Sequence, residues 1–214
     1  ANLLRGLKLR LARRHSDSTD ELAALDKAVQ QVGYASQIIG RVREYTQSRQ
    51  PKAEALDLVA LVHQSLGLLD WDLQREAVRL DLRLPDATVP VQGDAVMLQQ
   101  VLINLLRNAL DALRLDRPTD PLIDIELRVE GGRAELRVGD NGPGITPQTE
   151  ARLFVPFSST KPNGMGLGLS ICRSLIEMHQ GRLWFTRREP GGCCFHFALP
   201  VMAAAAQPTL EKTT

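Results

Sequence analysis

The chain has 214 residues, of which 43% are hydrophobic and 24% are charged, and its formal net charge at pH 7 is +1. A chain of this length can bury one large hydrophobic core and a smaller second unit. The charge shows no basic surplus of the kind that nucleic-acid-binding proteins carry, and no apolar run approaches membrane-spanning length. We therefore expect no nucleic-acid partner and no membrane segment in this chain.

The cysteine content indicates a reducing compartment. The three cysteines are Cys172, Cys193 and Cys194, an odd number with an adjacent pair, which does not suit a disulfide framework. We predict that they are small buried hydrophobic residues in a cytoplasmic segment. A membrane anchor elsewhere in a longer protein is compatible with this expectation.

The first 50 residues show a helical pattern and no strand pattern. Apolar positions from Leu22 to Val42 fall mostly three and four apart, and an earlier apolar stripe begins at Leu4. Two helices with narrow apolar stripes cannot form a core alone, so we predict a helical hairpin over residues 1–50 that dimerises as a four-helix bundle. The alternative is that the hairpin packs against the rest of its own chain.

From residue 52 onward, helical and strand patterns are mixed. Asp57 is placed to cap a helix that runs to about Leu73, and VRLDLRL alternates as a strand. Asp94 is placed to cap the long helix AVMLQQVLINLLRNALDAL.

The second half of this region continues the mixed pattern. LIDIELRVEGGRAELRVGD predicts two strands joined by a tight turn at Gly131 and Gly132. A helix is predicted from Gly166 to about His179, with Gly181 as its C-terminal cap. RLWFTRRE and CCFHFAL predict a final hairpin around the sequence PGG.

Strands on one side and helices on the other imply an α+β domain, a two-layer α/β sandwich. We assign this sandwich to residues 52–200, after the hairpin over residues 1–50. The tail over residues 201–214 has no core pattern and is predicted to be disordered.

Two asparagines lie on one face of the long predicted helix. Asn104 and Asn108 are four residues apart, among leucines that should face a core. An asparagine oxygen is a suitable neutral ligand for Mg²⁺, which takes its other ligands from water and phosphates. The alternative is two amides that are satisfied by local hydrogen bonds.

The sequence DNGPG follows a predicted strand and contains Asp140, Gly142 and Gly144. It is a good turn sequence in its own right. A carboxylate at a strand end, beside glycines that admit a flat ring, can also accept hydrogen bonds from the exocyclic amino group of adenine.

The stretch ARLFVPFSSTK places Phe154 and Phe157 around a proline and ends in Lys161. Phenylalanines in a polar connection usually anchor the loop to the body of the domain. The lysine is placed to offer a positive charge to phosphate.

Three glycines, Gly164, Gly166 and Gly168, alternate where a helix should begin. Glycines let a backbone approach a ligand closely, and the free N–H groups of a helix N-terminus favour anions. The alternative is a flexible loop.

Taken in order, NLLRNALDA, DNGPG, LFVPFSSTK and GMGLGL resemble the N box, first glycine box, F box and second glycine box of histidine kinases. The resemblance covers residues 52–200, and the preceding hairpin resembles part of the dimerisation and histidine-phosphotransfer domain. SSTK and ASQIIGRVREY are most similar to the oxygen-sensing and dicarboxylate-sensing kinases. The resemblance implies the Bergerat (GHKL-type) ATP-binding fold, ATP and Mg²⁺ as cofactors, a homodimer, and a response-regulator receiver domain as partner.

The resemblance also implies roles for individual residues. Asp140 would bind adenine, Asn108 would hold Mg²⁺ with Asn104 nearby, and the segment from Ile145 to about Asn163 would be a mobile lid. The remaining predicted ATP-binding residues are Arg107, Asp111, Gly142, Gly144, Ile145, Phe157, Thr160, Lys161, Gly164, Met165, Gly166, Leu167, Gly168 and Leu169.

One departure from the family pattern concerns charge. Many histidine kinases have a basic residue three positions after the second asparagine of the N box, where this chain has Asp111. We therefore expect Lys161 or Arg107 to supply the positive charge for the phosphates.

A second departure concerns the phosphate acceptor. Such kinases phosphorylate a histidine that is followed by an acidic residue, which serves as general base, and no such pair exists here. His15 precedes Ser16 at the predicted turn of the hairpin, so we do not expect it to be the acceptor. We expect instead that the chain begins inside the first helix, after the acceptor segment. We therefore expect that the 214-residue chain does not phosphorylate itself.

The predicted function is that of a sensor histidine kinase core, which transfers the γ-phosphoryl group of ATP to a histidine and then to a response-regulator aspartate. One alternative is a Bergerat-fold ATPase clamp. The lack of a glutamate at the position of Asn104 argues against it. The other is a non-catalytic dimeric scaffold that binds a response regulator, against which stand the intact DNGPG and GMGLGL.

Overall fold

The computed structural model describes residues 52–158, 166–189 and 191–202; the hairpin predicted over residues 1–50 lies outside this part of the chain. The described residues form a two-layer α/β sandwich, as predicted. In chain order its elements are β1 (Glu54–Asp57), α1 (Leu58–Gly67), α2 (Asp70–Arg75), β2 (Arg79–Arg83), β3 (Pro90–Gly93), α3 (Ala95–Leu115), β4 (Leu122–Glu130), β5 (Arg133–Asp140), α4 (Pro147–Glu150), α5 (Gly168–Met178), β6 (Arg182–Arg187) and β7 (Cys193–Pro200).

The main sheet has five strands in the order β2-β4-β5-β7-β6, of which β2 and β4 are parallel and the other neighbours antiparallel. Alternate residues of a strand point to opposite faces of a sheet. On β4, Ile123, Ile125 and Leu127 are buried on the helix side, while Asp124 and Glu126 belong to the opposite face. The outer face is therefore charged, yet Asp124 is completely buried in it.

The long helix α3 supplies much of the core between the two layers. It begins where predicted, because Asp94 Oδ1 accepts hydrogen bonds from the N–H groups of Val96 at 3.0 Å and Met97 at 3.1 Å. Its apolar face is buried against the sheet and the neighbouring helices. The buried residues are Leu98, Val101, Leu102, Leu105, Leu106, Ala109, Leu110 and Leu113.

The first helix is shorter than the sequence predicts. Asp57 caps it, with Oδ1 accepting from the Val59 N–H at 3.1 Å, but the helix ends at Gly67 and a separate short helix follows. Glycine in the last turn weakens helix propagation, and the break turns Leu69 into the core, where it is 2% exposed.

Two strands were missed by the sequence patterns. β1 and β3 pair antiparallel in a separate two-stranded sheet. Each has only four residues, which is too short for alternation to distinguish a strand from a loop.

The end of α5 differs from the predicted glycine cap. Gln180, rather than Gly181, has the left-handed backbone conformation, with a φ of 58°. A Cβ at Gly181 would lie 2.6 Å from the carbonyl oxygen of Ala198 on β7. Glycine is therefore required here by the close approach of β7, and not by the helix end.

The predicted hairpin turn between β4 and β5 is confirmed, with φ of 57° at Gly131 and 75° at Gly132. The first residues of the predicted tail still pack on the domain. The N–H of Val201 donates to the carbonyl of Gly132 at 2.9 Å, and that of Met202 donates to the carbonyl of Pro90 at 2.8 Å. Residues 203–214 lie outside the described part of the chain.

His179 connects the end of α5 to the start of α3. Its Nε2 accepts a hydrogen bond from the Asp94 N–H at 3.0 Å, so its Nδ1 is the donor to the Leu175 carbonyl at 2.7 Å. The side chain is buried, and a buried ring with both nitrogens bonded is a structural connector.

Replacing His179 by leucine should therefore destabilise the domain. The change leaves the Asp94 N–H without its acceptor, for which we expect a loss of about 1–3 kcal/mol in the free energy of unfolding. Urea unfolding followed by circular dichroism would measure it. The matched control is His63→Leu, at an exposed histidine of α1; equal stability of the two variants would contradict the connecting role.

Candidate functional site

Asp140 is a buried carboxylate at the end of β5. Its side chain is 3% exposed, and it accepts a hydrogen bond from the Gly142 N–H at 2.9 Å. Burial raises the pKa of Asp140 to about 6, although the N–H groups of Gly142 and Cys193 act in the opposite direction. A buried carboxylate with a strongly raised pKa at a strand end is a candidate for ligand binding.

Close glycine packing surrounds Asp140. A Cβ at Gly142 would lie 3.1 Å from the Cβ of Ala112 on α3, and a Cβ at Gly144 would lie 3.1 Å from the Gly192 carbonyl oxygen. Gly192 itself lies against the Asp140 carbonyl, which a side chain would overlap. The sequence patterns identified Gly142 and Gly144 but missed Gly192, because a PGG turn is common in hairpins of any function.

Asn104 bridges α3 and the first turn of α5. Its Nδ2 donates to Cys172 Sγ at 3.1 Å, and a Cβ at Gly168 would lie 2.7 Å from its Oδ1. The asparagine thus requires glycine at position 168. Burial raises the pKa of Cys172 to about 12, so its thiol stays protonated, in agreement with the predicted role as a buried hydrophobic residue.

The N-terminus of α5 has no side-chain cap among the described residues. Its N-cap residue is Leu167, whose side chain cannot accept hydrogen bonds from the first N–H groups of the helix. Just before it, Gly166 has a φ of 65°, and a Cβ there would overlap the backbone of Ser158. Free N–H groups at a helix N-terminus suit an anionic group such as phosphate.

Other predicted residues of α3 lie at the border of the core. Asn108 is half-buried one helical turn beyond Asn104, and Arg107 is exposed. Asp111, the departure from the family pattern, lies 3.4 Å from Nη1 of Arg114, so an arginine on the same helix balances its charge. Thr160, Lys161, Gly164 and Met165 lie outside the described residues.

The start of the predicted lid contains a short helix, α4, that the sequence patterns missed. Thr146 caps it by accepting from the Thr149 N–H at 3.3 Å. Glu150 at its end accepts a hydrogen bond from Arg187 Nε at 3.1 Å. Ile145, immediately before this helix, is half-buried, as is Leu169 in α5.

The two phenylalanines of this segment behave differently. The Phe154 ring packs 6.5 Å from the Phe185 ring, centre to centre, and the guanidinium carbon of Arg173 lies 3.8 Å from its centroid. Phe154 therefore anchors the loop, as predicted. Phe157 does not, because it is 68% exposed, with a left-handed φ of 62°.

The sequence matches the model of the histidine kinase-, DNA gyrase B- and HSP90-like ATPases over residues 93–203, which is more than half of the chain. The chain belongs to this ATPase family. The matched segment includes Asn104, Asp140 and Gly168, the three residues around which the candidate site is built.

Curated relatives within this ATPase family are sensor proteins. The chain is 36% identical over 178 residues to the C4-dicarboxylate transport sensor protein DctS of Rhodobacter capsulatus, covering 83% of this chain and 27% of DctS. It is 34% identical over 201 residues to the sensor protein FixL of Bradyrhizobium diazoefficiens, covering 94% of this chain and 40% of FixL. The chain thus spans well under half the length of these relatives.

Solved structures confirm the fold. The catalytic domain of histidine kinase ThkA aligns with a TM-score of 0.62 and 29% identity, covering 70% of this chain and 95% of that domain. ThkA in complex with the response regulator protein TrrA aligns with a TM-score of 0.69, at 24% identity, covering 94% of this chain and 57% of that one. The resemblance to sensor histidine kinases and the GHKL-type fold are confirmed.

Within the described ranges, no helix combines the length and the apolar character needed to cross a membrane. The same residues contain no group of three or more His, Cys, Asp or Glu side chains that could hold a metal ion. The chemistry of Asn108 fits Mg²⁺ in another way. It follows Asn104 by one turn on the helix that contacts the first turn of α5, and a single amide oxygen suits an ion that is held mainly by phosphates and water.

Replacing Asp140 by asparagine should separate binding from stability. The raised pKa means that the ionised carboxylate costs the nucleotide-free domain on the order of 3 kcal/mol at neutral pH. We expect the variant to melt at the same or a higher temperature than the parent, and to bind ATP more weakly by about 1.5–3 kcal/mol because a charged acceptor is lost. Thermal melts and calorimetry would measure both; a much lower melting temperature would show that the carboxylate is structural.

Acid should weaken ATP binding through the same group. With a pKa of about 6 in the folded chain and 3.8 ordinarily, Asp140 takes up a proton in the folded state first. Its contribution to stability therefore improves as pH falls through this window, while its ability to accept from an amino group declines. Calorimetry from pH 7.5 to 5 should show the parent losing its affinity advantage over Asp140→Asn; an advantage that is constant with pH would contradict this.

Proposed function

We propose that the chain is the catalytic core of a sensor histidine kinase, which binds ATP with Mg²⁺ and transfers the γ-phosphoryl group to a histidine. The phosphoryl group then passes to an aspartate of a response regulator. The observation that carries the proposal is the placement of a buried carboxylate, Asp140, in one domain with the N-terminus of α5, which has no side-chain cap among the described residues, and the asparagines of α3.

Each part of this arrangement suits one part of the nucleotide. Asp140 accepts hydrogen bonds from the adenine amino group, and the glycines beside it leave room for the flat ring. The N–H groups from Gly166 to Gly168 face the phosphates, and Asn108 offers its amide oxygen to the metal ion. When bound, Mg²⁺ neutralises charge on the phosphates and aligns them for transfer.

Asn104 acts indirectly in this proposal. It contacts both Gly168 and Cys172, so it fixes the first turn of α5 relative to α3. The phosphate-facing N–H groups and the asparagine that holds the metal ion then keep a constant spacing. Such preorganisation is the main contribution that a protein makes to phosphoryl transfer.

The relatives support a response regulator as partner. DctS and FixL are sensor proteins by name, and ThkA, which shares the fold, has been solved in complex with the response regulator protein TrrA. We propose that this chain likewise passes its phosphoryl group to a receiver domain. The signal that it serves would enter through parts of the protein other than this domain.

Label transfer tests the catalytic proposal. With γ-labelled ATP, the chain and its His15→Gln variant should both remain unlabelled, because the chain contains no histidine followed by an acidic residue. A supplied helix that carries such a pair should acquire base-stable, acid-labile label. Asn108→Ala should abolish that label without unfolding the domain.

Release of free phosphate as the main product would favour an ATPase instead. Label on the parent that disappears in His15→Gln would make His15 the acceptor.

We also propose that residues 1–50 make the protein a homodimer. Val29 belongs to the apolar stripe of this segment, and Val29→Asp would bury an unpaired charge in the seam, at a cost of several kcal/mol. Light scattering should find a dimeric parent and a monomeric variant. Gln31→Asp, at a polar position of the same segment, is the matched control and should remain dimeric; a monomeric parent at high concentration would contradict the bundle.

A further inference from the structure

Asp124 is a fully buried carboxylate on the face of the sheet that lies opposite the helices. In the register of β4 and β5 it pairs with Gly139, the residue before Asp140. A Cβ at Gly139 would lie only 2.6 Å from Asp124 Oδ2. The Asp124 carboxylate therefore rests directly on the backbone that carries Asp140.

Three guanidinium groups surround Asp124. Arg137 of β5 and Arg188, which follows β6, both donate hydrogen bonds to it, and Arg83 Nη2 lies 3.5 Å from its Oδ1. Burial raises the pKa of Asp124, but the hydrogen bonds and positive charges of Arg137 and Arg188 outweigh burial and hold that pKa below its ordinary value. The carboxylate is thus charged and tightly paired.

Arg188 links this ion cluster to the turn that packs over Asp140. Its N–H donates to the Gly192 carbonyl at 3.3 Å, which closes the turn between β6 and β7. Gly192 lies against the Asp140 carbonyl, and the next residue, Cys193, donates its N–H to the Asp140 carboxylate. Movement of Arg188 would therefore change the hydrogen bonding of Asp140.

The same two residues are the charged neighbours of Asp140 among the described residues. The positive charge of Arg188 lowers the pKa of Asp140, and the negative charge of Asp124 raises it. From β7 the Asp140 carboxylate meets Cys193, whose thiol pKa is raised by burial and which therefore stays neutral. The charge that Asp140 experiences is set mainly from the opposite face of the sheet.

We propose that Asp124 and Arg188 are positioning residues for the adenine-binding carboxylate. Arg188 fixes the turn between β6 and β7 against Asp140, and Asp124 holds Arg188 in place through the sheet. Neither residue contacts the nucleotide. This inference rests on the proposed binding of ATP through Asp140.

The test compares Arg188→Gln, Asp124→Asn and the control Arg83→Gln in the whole chain. Arg83 also faces Asp124, but it comes from β2, and its ion pairs among the described residues are with Asp81, Asp124 and Glu126. ATP affinity would be measured by calorimetry from pH 5 to 8, with the melting temperature of each variant. We expect Arg188→Gln and Asp124→Asn to weaken ATP binding roughly five- to tenfold, as for residues coupled in one ion-pair network, and Arg83→Gln to leave it unchanged.

The pH profile separates positioning from general destabilisation. Loss of the positive charge at position 188 should move the acid midpoint of ATP binding to higher pH, whereas loss of the negative charge at position 124 should move it to lower pH. Arg188→Lys retains the charge and should keep the parent's midpoint. A variant that is merely less stable would shift its melting temperature and not this midpoint.

Midpoints that shift in the same direction, or affinities that match the parent in folded variants, would overturn the inference. If Asp124→Asn does not fold, the Arg188→Gln variant decides the test alone, because the Arg188 side chain is 29% exposed and lies in a turn. An Arg188→Gln variant with the parent's ATP affinity and acid midpoint would then overturn the inference. A parent that binds no ATP at any pH would overturn the proposed function as well. Normal binding by the parent and by every variant would overturn this inference alone.

Discussion

The candidate site depends on one energetically unfavourable feature, the burial of the Asp140 carboxylate at the end of β5. Desolvation of a charged group is costly unless donors replace the lost water. Two backbone N–H groups, from Gly142 and Cys193, replace it only in part, which is why its pKa remains raised. The glycine at position 142 follows from the same constraint, because a Cβ there would lie 3.0 Å from Asp140 Oδ1, while Gly192 lies against the backbone carbonyl of Asp140. In the proposed function, an amino group of the ligand would replace the missing water, so ligand affinity and the instability of the empty domain would have the same cause.

The helix that would face the phosphates is held at both ends by α3. At its start, Asn104 touches Gly168, and at its end, His179 accepts from the N–H that begins α3. These contacts join α5 to α3 at both ends of α5. The described part of the segment predicted to be a lid contacts the domain through Glu150 with Arg187 and through Phe154 with Arg173.

Local patterns predicted the elements that have local causes. Asp94 caps α3 by its own side chain, and the glycines at 131 and 132 supply the positive φ of a tight turn, so both were visible in the sequence. Four-residue strands and the break after Gly67 gave no period long enough to detect. The contacts of Asp124 were hidden for a different reason. An acidic residue on a strand of alternating polarity is normally predicted to face solvent. Only the pairing of β4 with β5 places Asp124 against Gly139.

The contact between Gly166 and the Ser158 backbone bears on how this family can vary. The Gly166 backbone lies against that of Ser158, so the seven residues between them in the sequence connect two points that are already in contact. The entropy of closing such a loop grows only with the logarithm of its length, and doubling it costs about 0.6 kcal/mol. Insertions between these two points should therefore cost the folded domain little, as long as the contact of Gly166 with Ser158 is kept.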